Sequence, residues 1–150
     1  MFEIIRTVSN NSDFQFLVSL LDHFQQILDG DEHSFYAQFN KIDTLSEVLV
    51  AYIEGIPVAS GALRRYNNST VEIKRMFVKP EYRGRGVAML ILKELESWAK
   101  ELNFSTCILE TGKKQIEAIS LYKKAGYMQI TSYGQYKNVE NSVCMKKEIR

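Results

Sequence analysis

With 150 residues, 45% of them hydrophobic and 25% charged, and a formal net charge of +1, the chain has the size and balance of one globular domain. So even a balance provides no broad field for nucleic acid or an anionic membrane, so any anion must be held locally. No apolar run approaches a membrane span, and Met1–Arg6 lacks the long apolar core of a secretory leader, which points to the cytoplasm. In that setting Cys107 and Cys144, each inside a strand-like run, read as small buried hydrophobes. His23 and His33 have no ligand spacing with each other or with the cysteines, and no metal site is expected.

In chain order, residues 3–8 alternate weakly around Ile4, Ile5 and Val8 and predict a first strand. Asn10-Asn-Ser-Asp13 offers a helix start, with Ser12 or Asp13 as cap. Phe14, Leu17, Val18, Leu21, Phe24, Ile27 and Leu28 then recur at helical spacing until Gly30. A short segment crowded with aromatics follows over 33–40. Residues 45–53 and 57–66 predict a hairpin turning at Glu54-Gly55, and a third strand runs over 71–78 after Asn67-Asn68. A helix over 87–102, a buried strand over 105–110, a helix over 114–125 and strands over 127–133 and 141–149 complete one mixed α/β unit without repeats or linkers.

The most informative stretch lies between the third strand and the helix after it. Pro80 ends the strand because it has no N–H for a ladder. Arg83-Gly84-Arg85-Gly86 follows, and Val87, Leu90, Ile91, Leu95, Trp98 and Leu102 mark a helix face. Strand, glycine turn and helix start are the parts of an anion cradle, where backbone N–H groups and the helix dipole converge. The Walker spacing and the three-glycine dinucleotide spacing are both absent. As bare spacing, Arg-Gly-Arg-Gly fits a tight solvated turn as well as a diphosphate site.

The surroundings are more specific. Arg83-x-x-Gly86-x-Ala88 resembles the acetyl-coenzyme A loop of the GNAT family of N-acetyltransferases, with Glu72 eleven residues before Arg83 in a strand like that family's catalytic strand. Leu109-Glu-Thr-Gly112 and Gln115-x-x-Ala118-x-x-x-Tyr122-x-x-x-Gly126-Tyr127 resemble its last signature segment, so the likeness covers nearly the whole chain. It implies a single GNAT-fold domain over residues 1–150, with a mixed, mostly antiparallel central sheet flanked by helices. It also implies acetyl-coenzyme A as acyl donor. On that resemblance the cofactor side is carried by Gly84, Gly86, Val87, Ala88, Arg83 and Arg85 at the diphosphate. Met76, Phe77 and Val78 would offer backbone groups to the pantetheine, with the Met76 N–H as oxyanion donor. Gln115 stands where the family often has Asn, and Ala118 and Tyr122 follow on one helix face.

Acetyl transfer to an amine makes three demands. The amine, with pKa about 10, must lose a proton; the thioester carbonyl must be polarised as its oxygen gains charge; and the leaving thiolate must be protonated. The resemblance implies Glu72 as base, acting through a water, and Tyr122 as acid. Read from the residues alone, Glu72 is an outward carboxylate paired with Lys74 or a neighbouring strand, and Tyr122 a core ring with its hydroxyl satisfied locally. No Cys or Ser sits in a nucleophile motif, which predicts direct transfer without an acyl-enzyme. Acceptor candidates are His33, Tyr36, Phe39, Arg75, Glu110, Tyr136 and Asn138; the aromatics among them are also explained by packing. A carboxylate at Glu110 would attract an amine and Arg75 would hold a carboxylate, so a small amino-acid-like amine is expected. The sequence leaves a homodimer open, and a non-catalytic acyl-CoA-binding module is the alternative activity.

Overall fold

The structure is a computed structural model that describes residues 1–29 and 45–150. Its elements are β1 (Glu3–Thr7), α1 (Ser12–Asp29), β2 (Glu47–Ile53), β3 (Ile56–Arg65), β4 (Thr70–Val78), α2 (Val87–Glu101), β5 (Thr106–Gly112), α3 (Ile116–Lys124), β6 (Met128–Ile130) and β7 (Ser142–Glu148). Short 3₁₀ turns at Pro80–Tyr82 and Gly134–Tyr136 complete them. The strands form one seven-stranded sheet in the order β1-β2-β3-β4-β5-β7-β6. Every pairing is antiparallel except β4 with β5. This is the single mixed, mostly antiparallel sheet that the sequence predicts.

Period-two alternation sends β2 to both faces. Leu49 and Ala51 join a core with Ile91, Leu92 and Leu95 of α2 and Tyr122 of α3. Val48 and Val50 join Phe14, Leu17, Val18 and Leu21 of α1 on the opposite face. Helices therefore cover both sides of the sheet. The hairpin between β2 and β3 turns at Glu54 and Gly55, whose φ values of 50° and 79° suit the tight turn predicted there.

Two local expectations are corrected. The cap of α1 is Asn11, whose Oδ1 accepts the Phe14 N–H at 3.0 Å. Asp13 instead accepts the Tyr52 hydroxyl at 2.6 Å and ties α1 to β2. The strand expected over 127–133 stops at Ile130, because the chain then turns inward to seat Tyr133 and Tyr136 under the sheet's centre.

The feature that shapes the site is a bulge in β4. Lys74 stands opposite Ala62 and Phe77 opposite Ser60, so Arg75 and Met76 together face Gly61. Arg75 has φ of 59°, a left-handed conformation that costs a non-glycine residue about 1–3 kcal/mol. Ser60 offsets part of that by donating its hydroxyl to the Arg75 carbonyl at 2.9 Å. The inserted residue inverts the strand's faces: Val71 and Ile73 pack toward α2, but Phe77 packs toward α1. Gly61 is required at this point. A Cβ there would lie 2.6 Å from Ile91 and 2.9 Å from the Met76 sulfur, so α2 rests directly on the bulge.

Candidate active site

The parallel pairing of β4 with β5 covers only Thr70–Glu72 against Thr106–Ile108. Beyond it β4 continues along β3 to Val78 and β5 continues along β7 to Gly112, so the sheet opens into a fork. Past Glu72 the facing edges have no strand partner among the described residues, which leaves backbone groups available to an extended ligand. Lys74, Arg75 and Met76 of β4 line the cleft at the fork, about 70 Å³ in volume, together with Glu110 and Thr111 of β5 and Gln115 and Tyr122. Leu21 and Gln25 of α1 close it from one side.

At the far end of β4 the turn leads into α2. Gly84 and Gly86 have φ of 80° and 83°, and Gly86 caps the helix. Neither has any atom within 4 Å of where a Cβ would stand. The glycines are therefore needed for their backbone conformation, and the space beside them is open to a ligand. The first N–H groups of α2, from Val87 and Ala88 on, lack partners within the helix and point toward that space. A diphosphate fits this cradle. Arg83 is folded back in this state: its Nε donates to the Val78 carbonyl at 3.0 Å and its guanidinium lies 4.9 Å from the Phe24 ring centre. Arg85 sits 5.3 Å over Tyr82, beside a larger groove of about 410 Å³ that holds no acid–base pair of the fork.

Tyr122 is 6% exposed, on the buried face of α3, with its ring edge-on to Tyr127 at 5.8 Å. Burial, and secondarily the nearby Glu110 carboxylate, push its phenol well above the ordinary range, so it stays protonated at neutral pH. A protonated phenol in the fork has the form needed to give a proton to a leaving thiolate. Ala118, one turn earlier, is half-buried against the same core.

Glu72 is 4% exposed and lies at the root of the fork, on the opposite face of β4 from Val71 and Ile73. Its Oε2 accepts the Tyr133 hydroxyl at 2.7 Å, and burial with this charge holds the Tyr133 phenol protonated. Glu72 does not itself line the cleft; Lys74, two residues on and on the same face, does.

Among the acceptor candidates, Glu110 lies in the cleft and accepts the Ser142 hydroxyl at 2.7 Å. Arg75 also lines it, with its guanidinium turned to Asp22 of α1 at 3.6 Å, so part of its charge is offset from within the protein. Tyr136 does not line the cleft: it is 2% exposed, packs edge-on against Tyr133 at 5.6 Å and accepts the Lys74 ammonium at 3.2 Å, which places it beneath Lys74. Asn138 is exposed with φ of 64°, a turn conformation Asn tolerates, and does not line the cleft. His33, Tyr36 and Phe39 lie outside the described residues. Sequence reasoning passed over Lys74 and Tyr133. The first had a signal, period two from Glu72; the second had none, because 61 positions separate it from its partner.

A forked mixed sheet with a glycine-capped helix at one strand end, and a buried carboxylate and phenol at the fork, defines an acyl-transfer cleft. Residues 14–127 match the profile described as the acetyltransferase (GNAT) family, and the chain belongs to that family. It is 34% identical over 102 residues, 67% of each chain, to an IAA acetyltransferase of Azospirillum brasilense. The chain spans only 37% and 47% of two further curated relatives, N-acetyltransferases of uncharacterised function from Dictyostelium discoideum and Schizosaccharomyces pombe. A Klebsiella pneumoniae protein described as a candidate acyl-CoA N-acyltransferase superposes with TM-score 0.85 at 27% identity, covering 100% of this chain and 99% of the other. The PaiA N-acetyltransferase of Thermoplasma acidophilum, solved with coenzyme A, has TM-score 0.72 at 19% identity over 99% of both chains, a likeness of fold.

Proposed function

We propose that this chain transfers an acetyl group from acetyl-CoA directly to the amine of a small, amino-acid-like molecule. The observation that carries the reading is the fork itself. Its cleft is lined by Tyr122, a phenol that burial holds protonated, and by the Glu110 carboxylate; the buried Glu72 stands at its root, and the Gly84–Gly86 turn follows the far end of β4.

In this reading the acyl donor's diphosphate rests on the N-terminus of α2, and its amides pair with the open edge of β4 at Met76–Val78. One of those positions is partly taken, since the Val78 carbonyl already accepts from Arg83. The amine nitrogen loses its proton through a water to Glu72 and forms the new C–N bond as the C–S bond breaks. Tyr122 gives its proton to the departing sulfur and regains one from solvent. Direct transfer agrees with the two thiols, both buried and away from the cleft lining. It is also the setting in which we infer a cytoplasmic protein, because both cysteines are free. No helix of the described residues is long and apolar enough to cross a membrane.

Glu110 favours a cationic amine, and the basic groups beside it favour an acceptor with an acidic group. The test is release of free coenzyme A from acetyl-CoA with a panel of monoamines, diamines, amino acids and lysine-containing peptides. Turnover of small amines above peptides supports the proposal. Tight acetyl-CoA binding with no acceptor turned over would make the chain a binding module instead.

A further inference from the structure

The fork has two walls, and their register identifies which residues oppose each other across it. Thr70, Val71 and Glu72 pair with Thr106, Cys107 and Ile108. Counting on by two brings Lys74 level with Glu110, one on each prong, and both line the cleft. A cation on one wall therefore stands across from an anion on the other, at the point where the sheet opens.

Lys74 is held there from below. Its ammonium donates to the Tyr136 hydroxyl at 3.2 Å and lies 6.0 Å from that ring's centre. Tyr136 is itself fixed by Tyr133, which is bound to Glu72. Glu110 is held by Ser142 of β7. Neither charged head depends on a long unsupported side chain, and both are prepared before a ligand arrives. Arg75, the residue whose type first pointed to a carboxylate, is turned toward Asp22.

We propose that Lys74 is the specificity-determining residue for the acceptor: its ammonium receives the acceptor's carboxylate, while Glu110 across the fork receives the amino group. This deepens the acetyl-transfer reading and rests on it. The acceptor class is a zwitterion with its two charges a few bonds apart, an α- or β-amino acid, rather than a monoamine or polyamine. The electrostatics agree. Burial lowers the Lys74 pKa, Glu72 and Glu110 raise it, and Arg75 and Arg64 lower it, so the ammonium is short of solvation. An arriving carboxylate supplies the missing stabilisation in a medium where Coulomb attraction is strong.

The experiment compares matched acceptors on the whole chain: phenylalanine with phenethylamine, leucine with isoamylamine and β-alanine with ethylamine. Each is measured with wild type, Lys74→Met and Lys74→Arg. Wild type is expected to favour the amino acid of a pair. Lys74→Met is expected to raise KM for the amino acids by roughly tenfold to a hundredfold, the loss of one charge-assisted contact. The bare amines should lose less than their amino-acid partners, so the amino-acid preference in kcat/KM should fall by about tenfold or more, with KM for acetyl-CoA unmoved. Lys74→Arg keeps the charge and should restore much of the discrimination, which separates recognition from a folding defect. Equal losses on both members of each pair, or a wild-type preference for the bare amines, would overturn the assignment while leaving acetyl transfer intact. No turnover of any acceptor by protein that binds acetyl-CoA would overturn both.

Discussion

Replacing Gly86 separates the two properties of the loop, because its φ of 83° and the open space beside it have different consequences. An alanine there must hold a left-handed conformation, which costs about 1–2 kcal/mol. For a chain of this size that lowers Tm by roughly 3–6 °C. The added methyl meets no protein atom within 4 Å, so packing contributes nothing further in the free protein. Its cost appears only with ligand. In wild type, coenzyme A at a hundred times its Kd stabilises by about 2.7 kcal/mol and raises Tm by roughly 5–10 °C. Gly86→Ala should lose most of that rise and Gly86→Val all of it, with circular dichroism unchanged at room temperature. The assay is a thermal melt against coenzyme A concentration. A folded Gly86→Val protein whose melt still climbs along the wild-type curve would refute the cradle.

Tyr122→Phe removes the proton donor but not the ring, so kcat should fall at least about tenfold while acetyl-CoA affinity stays near wild type. Because burial and Glu110 keep the phenol protonated, the wild-type rate should show no loss from its ionisation up to about pH 10. Glu72→Gln should depress turnover at pH 7 and recover partly toward pH 10, where the acceptor is already neutral; a flat ratio to wild type across that range would refute the base assignment. Tyr133→Phe should act in the same direction as Glu72→Gln but more weakly, since it removes only the hydrogen bond to Oε2. Burial first, and Glu96 next, push the Cys107 thiol from 9.0 up to about 12. Its contribution to stability is therefore full below pH 9 and lost as pH rises through about 12. Alkylation by iodoacetamide at pH 8 should track global unfolding, and fast labelling of native protein would contradict its burial.

The sequence told most where chemistry is local. The glycine turn, the Pro80 stop and the Glu54-Gly55 hairpin each depend on backbone preferences of neighbouring residues, and each stands where the pattern placed it. The helices over Val87–Glu101 and Ile116–Lys124 were equally legible, because amphipathic spacing is written in consecutive turns. What the pattern missed is long-range. Nothing near Tyr133 signals that its hydroxyl belongs to Glu72, and nothing near Tyr136 signals that it lies beneath Lys74. The end of β6 was misplaced for the same reason: residues 131–133 have strand-like composition, but the Tyr133 hydroxyl is bound to Glu72 of β4.

The bulge decides which β4 side chains reach the candidate site. Strict alternation along β4 would put Arg75 on the face of Val71 and Ile73, pointing into the core with α2, and would send Met76 to the face of Glu72. The extra residue reverses both assignments after Lys74. Arg75 adopts φ of 59° and turns to Asp22, and the Met76 side chain goes to the α2 face instead. Lys74 is thus the last β4 residue before the inversion, and it shares its face with Glu72 at the place where β5 departs. The bulge also bends β4 away from β5, since an inserted residue increases local twist. One backbone irregularity, stabilised by Ser60 and made room for by Gly61, thereby opens the fork and selects which charges line it. On this argument Gly61→Ala should damage the site without touching it. The Cβ would press on Ile91 and the Met76 sulfur, shifting the bulge, and should raise KM for acceptor and donor together while Gly86 variants affect the donor alone.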